Sequence, residues 1–158
     1  LDKKVIVLAT ELTLKEKKFK DLVSSLNSSD IIDPYPLSKL VDFIENKQID
    51  EKKIMNYLNR TFKNIDFNKY STVVLGCTHF VFFKNYFRKF FPSNIKIIDG
   101  NNGTIRHLKD ILFNTEKKLE SNINNNNSIE FYSSENRNKD YNKFKFLLNY
   151  YKNNVCKE

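Results

Sequence analysis

Thr72-Val73-Val74-Leu75-Gly76-Cys77-Thr78-His79-Phe80 is the stretch on which the reading of this 158-residue chain turns. A run dominated by β-branched residues meets a glycine and then three polar side chains that can each take part in chemistry. From Phe80 on, Phe82, Phe83, Tyr86 and Phe87 return to an apolar, helix-like spacing. The pattern predicts strand, turn, helix. In an open parallel α/β sheet, ligands sit in the crevice outside the carboxyl ends of the strands, so Cys77, Thr78 and His79 occupy the place such a fold reserves for function.

A lone cysteine is among the most buried residue types and usually packs as a small hydrophobe, which is the plain reading of Cys77. His79, two residues on, favours a chemical one. A neighbouring imidazole and the positive end of a following helix both favour thiolate over thiol, against a free pKa of about 8.5. Two sharper alternatives fail on spacing. A phosphatase-type loop would need small residues closing on an arginine, whereas Phe80, Val81, Phe82 and Phe83 follow here. A zinc site would need paired ligands, and Cys77, His79, His107 and Cys156 show no C-x-x-C or H-x-x-x-H spacing.

Outward from this stretch, strand and helix patterns alternate. Lys4-Val5-Ile6-Val7-Leu8-Ala9 reads as a first buried strand. Thr13 is placed as the N-cap of the next helix, with Glu16 completing a capping box and Phe19, Leu22, Val23 and Leu26 as its apolar stripe. Ile31-Ile32-Asp33 is a second strand, expected to end at Pro34-Tyr35-Pro36 because prolines interrupt pairing. A helix over 37–46 follows, on which Glu45 reads by itself as an ordinary solvated side chain. Asp50 caps a further helix through Ile54, Leu58 and Phe62, the crossover that a parallel sheet requires. Ile95 to Asp99 is another strand, with Asp99 read as a helix cap, and Ile105, Leu108, Ile111 and Leu112 mark the helix after it. His107 reads as surface.

This alternation predicts an α/β fold, an open, mainly parallel sheet with helices on both faces. Residues 1–115 form the domain, and 116–128, rich in Lys, Glu, Ser and Asn, form a flexible loop. Residues 129–158 supply a last strand, Ile129 to Ser134, and an amphipathic helix, with Cys156 as an inert exposed thiol in the frayed end. No apolar run is long enough for a membrane span. Leu1-Asp2-Lys3-Lys4 is neither a signal peptide nor a natural start, which fits a chain beginning in mid-protein. Two cysteines this far apart make no disulfide framework, and an active thiol suits a reducing cytoplasm. A net charge of +8 invites comparison with nucleic-acid binders. However, the lysines are scattered among asparagines such as Asn124 to Asn127 rather than gathered with aromatics on one face, so nucleic acid is not the expected partner.

Gly76-Cys77-Thr78-His79-Phe80 is similar to the G-C-T-H-[YF] signature around the second catalytic cysteine of the glutamate racemases, in the cofactor-independent aspartate/glutamate racemase superfamily. Relatives acting on aspartate typically carry Glu where His79 stands, and Val81 replaces a usual proline. Ala9-Thr10-Glu11-Leu12-Thr13 resembles the family's A-T-x-G-T turn, with Leu12 for glycine. Leu40-Val41-Asp42-Phe43-Ile44-Glu45 resembles its L-V-P-L-[VI]-E segment, with Asp42 for proline, and the distance from Glu45 to Cys77 matches the family's.

The resemblance implies a racemase-like α/β domain, the carboxyl-terminal portion of an enzyme that interconverts L- and D-glutamate for peptidoglycan synthesis. Cys77 would be one of two catalytic acid/bases, with His79 and Glu45 assisting its proton transfers. Thr10, Thr13 and Thr78 would hold substrate carboxylate or ammonium, and neither metal nor other cofactor is implied. The implied partners are L- and D-glutamate and an amino-terminal racemase domain, onto which residues 129–158 would pack. Homo-oligomerisation is the other association that an apolar face left exposed allows. Alternatives are another amino-acid racemase of the superfamily, such as one for aspartate, and a non-catalytic remnant or basic binding module.

Overall fold

The computed structural model describes residues 3–116, 130–134 and 136–155. Strands β1 (Lys4–Ala9), β2 (Ile32–Pro36), β3 (Tyr70–Leu75) and β4 (Lys96–Asp99) pair in the order β2-β1-β3-β4, every pair parallel. Helices α1 (Glu11–Lys15) and α2 (Lys17–Ser25) join β1 to β2, and α3 (Ser38–Glu45) and α4 (Glu51–Thr61) join β2 to β3. A 3-10 helix, Thr78–Phe83, and α5 (Lys84–Phe90) lead to β4. Since the chain moves outward from β1 to β2 and back across to β3, right-handed crossovers put α1 and α2 on one face and α3 to α5 on the other.

The core lies on the α3–α5 face. Ile6 and Leu8 of β1 and Val73 and Leu75 of β3 point into it and meet Leu40, Ile54, Phe80 and Phe87 from the covering elements. Asp50 starts α4 as expected, its carboxylate accepting the Lys53 N–H at 2.8 Å. The opposite face is thinner. Val7 and Ala9 are buried there, but α1 and α2 bury no side chain, and Leu22 and Leu26 of the predicted stripe stay 56% and 60% exposed.

Helix α6 (Asn101–Glu116) and α7 (Arg137–Asn154) complete the described elements. The chain divides into two compact units, one of residues up to Asp99 together with those from Leu147 on, the other Gly100–Phe146. Within the first, Leu147 and Tyr150 pack against the core, and Tyr150 and Tyr151 meet the Phe82 ring at 6.3 and 6.0 Å. Within the second, Phe131 stacks on Tyr141 and Phe144. Among the described residues no helix is long and apolar enough to cross a membrane.

Several local expectations are corrected. The helix cap falls on Thr10, not Thr13, because Thr10 Oγ1 accepts the Thr13 N–H at 3.2 Å, and the chain then breaks at Glu16 (ψ 139°) before α2 begins. Strand β2 keeps both prolines. Its N–H groups at odd-numbered residues face β1, as Leu37 N–H to Ala9 O at 2.9 Å shows, so Pro34 and Pro36 turn their missing donors to the open edge. After Cys77 the chain forms 3-10 rather than α-helix, and α5 begins only at Lys84, so no α-helical dipole bears directly on the thiol. Residues 130–134 form no strand and lack a ladder partner among the described residues. Glu116, expected in the loop, ends α6; the rest of the predicted loop, Ile129 and Cys156 lie outside the described residues.

Gly76 is required where β3 leaves the sheet. Its N–H bonds Leu8 O at 2.7 Å, and a Cβ there would stand 3.0 Å from that same oxygen and 3.4 Å from Ala9 Cβ. Gly76→Ala is expected to destabilise the protein by about 1–3 kcal/mol, since the oxygen is backbone and cannot swing away. Urea denaturation checks this, and an unchanged midpoint would mean that β1 and β3 are free to separate at this point.

Candidate active site

The two central strands end side by side. Leu8 pairs with Leu75, and one residue further along each strand the chain turns out of the sheet, at Thr10 after Ala9 and at Cys77 after Gly76. The carboxyl edge of β1 and β3 thereby carries the two polar segments that the sequence singles out.

Cys77 begins a chain of three side chains. Its Sγ lies 3.9 Å from His79 Nδ1, and His79 Nε2 lies 2.9 Å from Glu45 Oε1. The 3-10 turn places His79 back over Cys77, and α3 packs against this turn with Glu45 as its last residue. An ionised carboxylate can only accept, so His79 Nε2–H donates to Glu45 and leaves the Nδ1 lone pair facing the thiol. Burial holds the His79 imidazole below its ordinary value, so it stays neutral at neutral pH despite the carboxylate beside it. His79 and Glu45 are each 29% exposed, shielded enough to hold one geometry and open enough to work on a bound molecule.

The threonines form a second cluster. Thr10 Oγ1 and Thr13 Oγ1 are 2.8 Å apart. Their mutual bond uses one hydroxyl proton whichever way it runs, which leaves the other for an outside acceptor such as a carboxylate. Thr78 opens the 3-10 turn with its side chain exposed. The structure thus joins Cys77, His79 and Glu45 into one bonded chain and Thr10 with Thr13 into one pair, and it leaves Thr78 at the surface of the same turn.

Two further side chains make contacts that the sequence does not announce. Asp99 ion-pairs with Lys84 at 3.3 Å. Ser38, which nothing local in the sequence marks, accepts the backbone N–H of Glu11 at 2.9 Å across 27 residues of chain. His107 is exposed on α6, as expected. Among the described residues no three His, Cys, Asp or Glu side chains gather as a metal site.

The all-parallel sheet of order β2-β1-β3-β4, with a cysteine just beyond a central strand, makes this an open α/β fold. The solved glutamate racemase of Francisella tularensis, in complex with D-glutamate, shares this fold with a TM-score of 0.75 at 21% identity, over 94% of this chain and 55% of that one. No protein-family model matches the chain. In sequence it is 45% identical over 133 residues to the glutamate racemase of Halothermothrix orenii, covering 84% of this chain and 52% of that protein. It is 46% identical over 110 residues to glutamate racemase 2 of Bacillus subtilis, covering 70% and 42%. The chain belongs to the glutamate racemase family, and it spans about half the length of the curated relatives it matches, a coverage that fits a carboxyl-terminal portion.

With His79 Nδ1 as the acceptor for the thiol proton, His79→Ala in a Cys156→Ser background is expected to slow alkylation of Cys77 by iodoacetamide at neutral pH several-fold. Glu45→Gln should slow it less. Equal rates in all three proteins would break the link between imidazole and sulfur.

Proposed function

We propose that this chain is the carboxyl-terminal, one-base portion of a cofactor-independent glutamate racemase. The observation that carries the reading is the Cys77–His79–Glu45 chain at the carboxyl edge of the central strands. The 45% and 46% identity to proteins named glutamate racemase supports glutamate as substrate, as does the D-glutamate held by the Francisella protein of the same fold.

Racemisation removes the α-proton from one face of the carbon and delivers a proton to the other, so two acid/base groups must flank the substrate. Cys77 serves one face. With its proton passed to His79 Nδ1, the thiolate takes the α-proton of L-glutamate, the C–H electron pair stays on carbon and its carboxylate, and a donor on the far side completes D-glutamate. In reverse, the Cys77 thiol protonates the same intermediate to give L-glutamate. Glu45 orients the imidazole and stabilises the imidazolium while His79 holds the proton. The Thr10–Thr13 pair and Thr78 bind carboxylate or ammonium, in substrate and transition state alike.

The second base and the remaining substrate contacts come from an amino-terminal racemase half, toward which residues 129–158 contribute packing surface. Exposed apolar side chains such as Leu12, at 71%, mark surface that such a partner, or a second copy, would cover. The assembled enzyme would supply D-glutamate to peptidoglycan in the cytoplasm.

Co-expression with a matching amino-terminal half is expected to give L-to-D conversion of glutamate in preference to aspartate, followed by circular dichroism or chiral chromatography. Cys77→Ser in that enzyme should lower turnover by about two to four orders of magnitude, since an alcohol is a far weaker base than a thiolate. Substantial conversion by the 158-residue chain alone would overturn the two-base reading.

The His79 shift sets a pH dependence. The working form is the neutral imidazole, so turnover should fall on the acid side below the ordinary imidazole value of about 6.5, as His79 takes up a proton. Linkage runs the same way. A histidine whose folded value is depressed favours the fold above its unfolded pKa and loses that stability as pH falls through the folded value. A pH–rate profile of the assembled enzyme with its acid limb above 6.5 would contradict this.

A further inference from the structure

The parallel ladder between β1 and β2 runs on past the last residues of both strands. Val5 N–H donates to Ile31 O at 2.7 Å, and at the other end Leu37 N–H donates to Ala9 O at 2.9 Å. In this alternation the next rung would run from Glu11 N–H to the Leu37 carbonyl. It goes instead to Ser38 Oγ, at 2.9 Å. Both chains have by then turned into helices, with Thr10 the N-cap of α1 and Ser38 the first residue of α3. The Glu11 N–H is one of the donors that the start of a helix leaves without an internal partner, and a hydroxyl from another element takes it.

Helix α3 carries Ser38 at its first residue and Glu45 at its last. A single element of eight residues therefore touches the threonine turn at one end and the histidine at the other. Helix α1 buries no side chain fully, so the hydrogen bonds at its start carry much of the work of fixing its direction. We propose that Ser38 is a positioning residue, which holds the Thr10–Thr13 pair in register with the Glu45–His79–Cys77 chain. The role rests on reading this site as part of a glutamate racemase. Because the threonines bind carboxylate alike in substrate and transition state, loosening them weakens binding without changing the proton-transfer step.

The test compares Ser38→Ala, Ser38→Thr and Glu45→Gln in the racemase assembled from this chain and an amino-terminal half, with amide exchange at Glu11 followed by NMR in the chain alone. Ser38→Ala is expected to raise KM for glutamate about three- to tenfold, the worth of one hydrogen bond, with kcat within about twofold of the parent. Ser38→Thr should restore KM, whereas Glu45→Gln should lower kcat. The Glu11 amide should exchange faster in Ser38→Ala and keep its protection in Ser38→Thr. An unchanged KM in Ser38→Ala, a loss confined to kcat, or equal exchange at Glu11 in both variants overturns the role. An assembled parent enzyme that does not racemise glutamate overturns the reading of the site, and the role of Ser38 in it falls with that reading.

Discussion

The hydrogen bond from Gly76 N–H to the Leu8 carbonyl, with no room beside it for a side chain, is the contact on which the site depends. Parallel strands leave the sheet at the same edge, but they leave it close together only if nothing keeps their last residues apart. At Gly76 the backbone of β3 stays against β1 for one residue beyond the paired Leu75, and Cys77 emerges next to the threonine turn. Any larger residue would push the exit of β3 away from β1 at the point where the Cys77 turn and the threonine turn leave the sheet.

Beyond that point the geometry is set by short elements rather than by a long helix. A regular α-helix from Thr78 would carry the His79 side chain around the axis, away from Cys77. The tighter 3-10 turn keeps Nδ1 within 3.9 Å of the sulfur while burying Phe80 and Phe83 beneath it. Those two phenylalanines make the turn rigid, because their rings are fully enclosed in the core. The Cys77–His79 pair is thus held from below by apolar packing and from the side by Glu45.

The sheet was legible because its strands are continuous apolar runs at intervals that demand crossovers, and the Cys77 turn was legible because three reactive side chains followed a strand. Residue-level geometry was legible only where one local interaction decides it. Asp50 caps α4 as read, but at Thr10 and Thr13 two equivalent hydroxyls compete and the local pattern favours the wrong one. Pro34 and Pro36 mislead for a different reason: proline forbids a central strand, and only the strand order tells that β2 lies at an edge. On its own spacing Glu45 looks like any solvated glutamate, and its link to His79 is a contact across 34 residues that only similarity to a family could suggest. Ser38 had no such aid, since its bond to Glu11 spans 27 residues and nothing in its own neighbourhood announces it.

The two ends of the strands carry different polar clusters. At the amino-terminal ends of the strands Asp33 accepts the Tyr70 hydroxyl at 2.6 Å and pairs with Lys4 at 3.1 Å. The Tyr70 hydroxyl holds the Asp33 carboxyl below its usual range, Lys4 adds to this, and burial with the carboxylate pushes the Tyr70 phenol up. The Tyr70 proton is thereby held more firmly and the Asp33 carboxylate resists taking one, and these contacts tie β1, β2 and β3 together. At the carboxyl edge the groups are arranged differently. Burial keeps the His79 imidazole neutral, and its Nδ1 lone pair faces the Cys77 thiol. Both clusters place a carboxylate against a titratable ring, and the one at the carboxyl edge sets a thiol beside that ring as well.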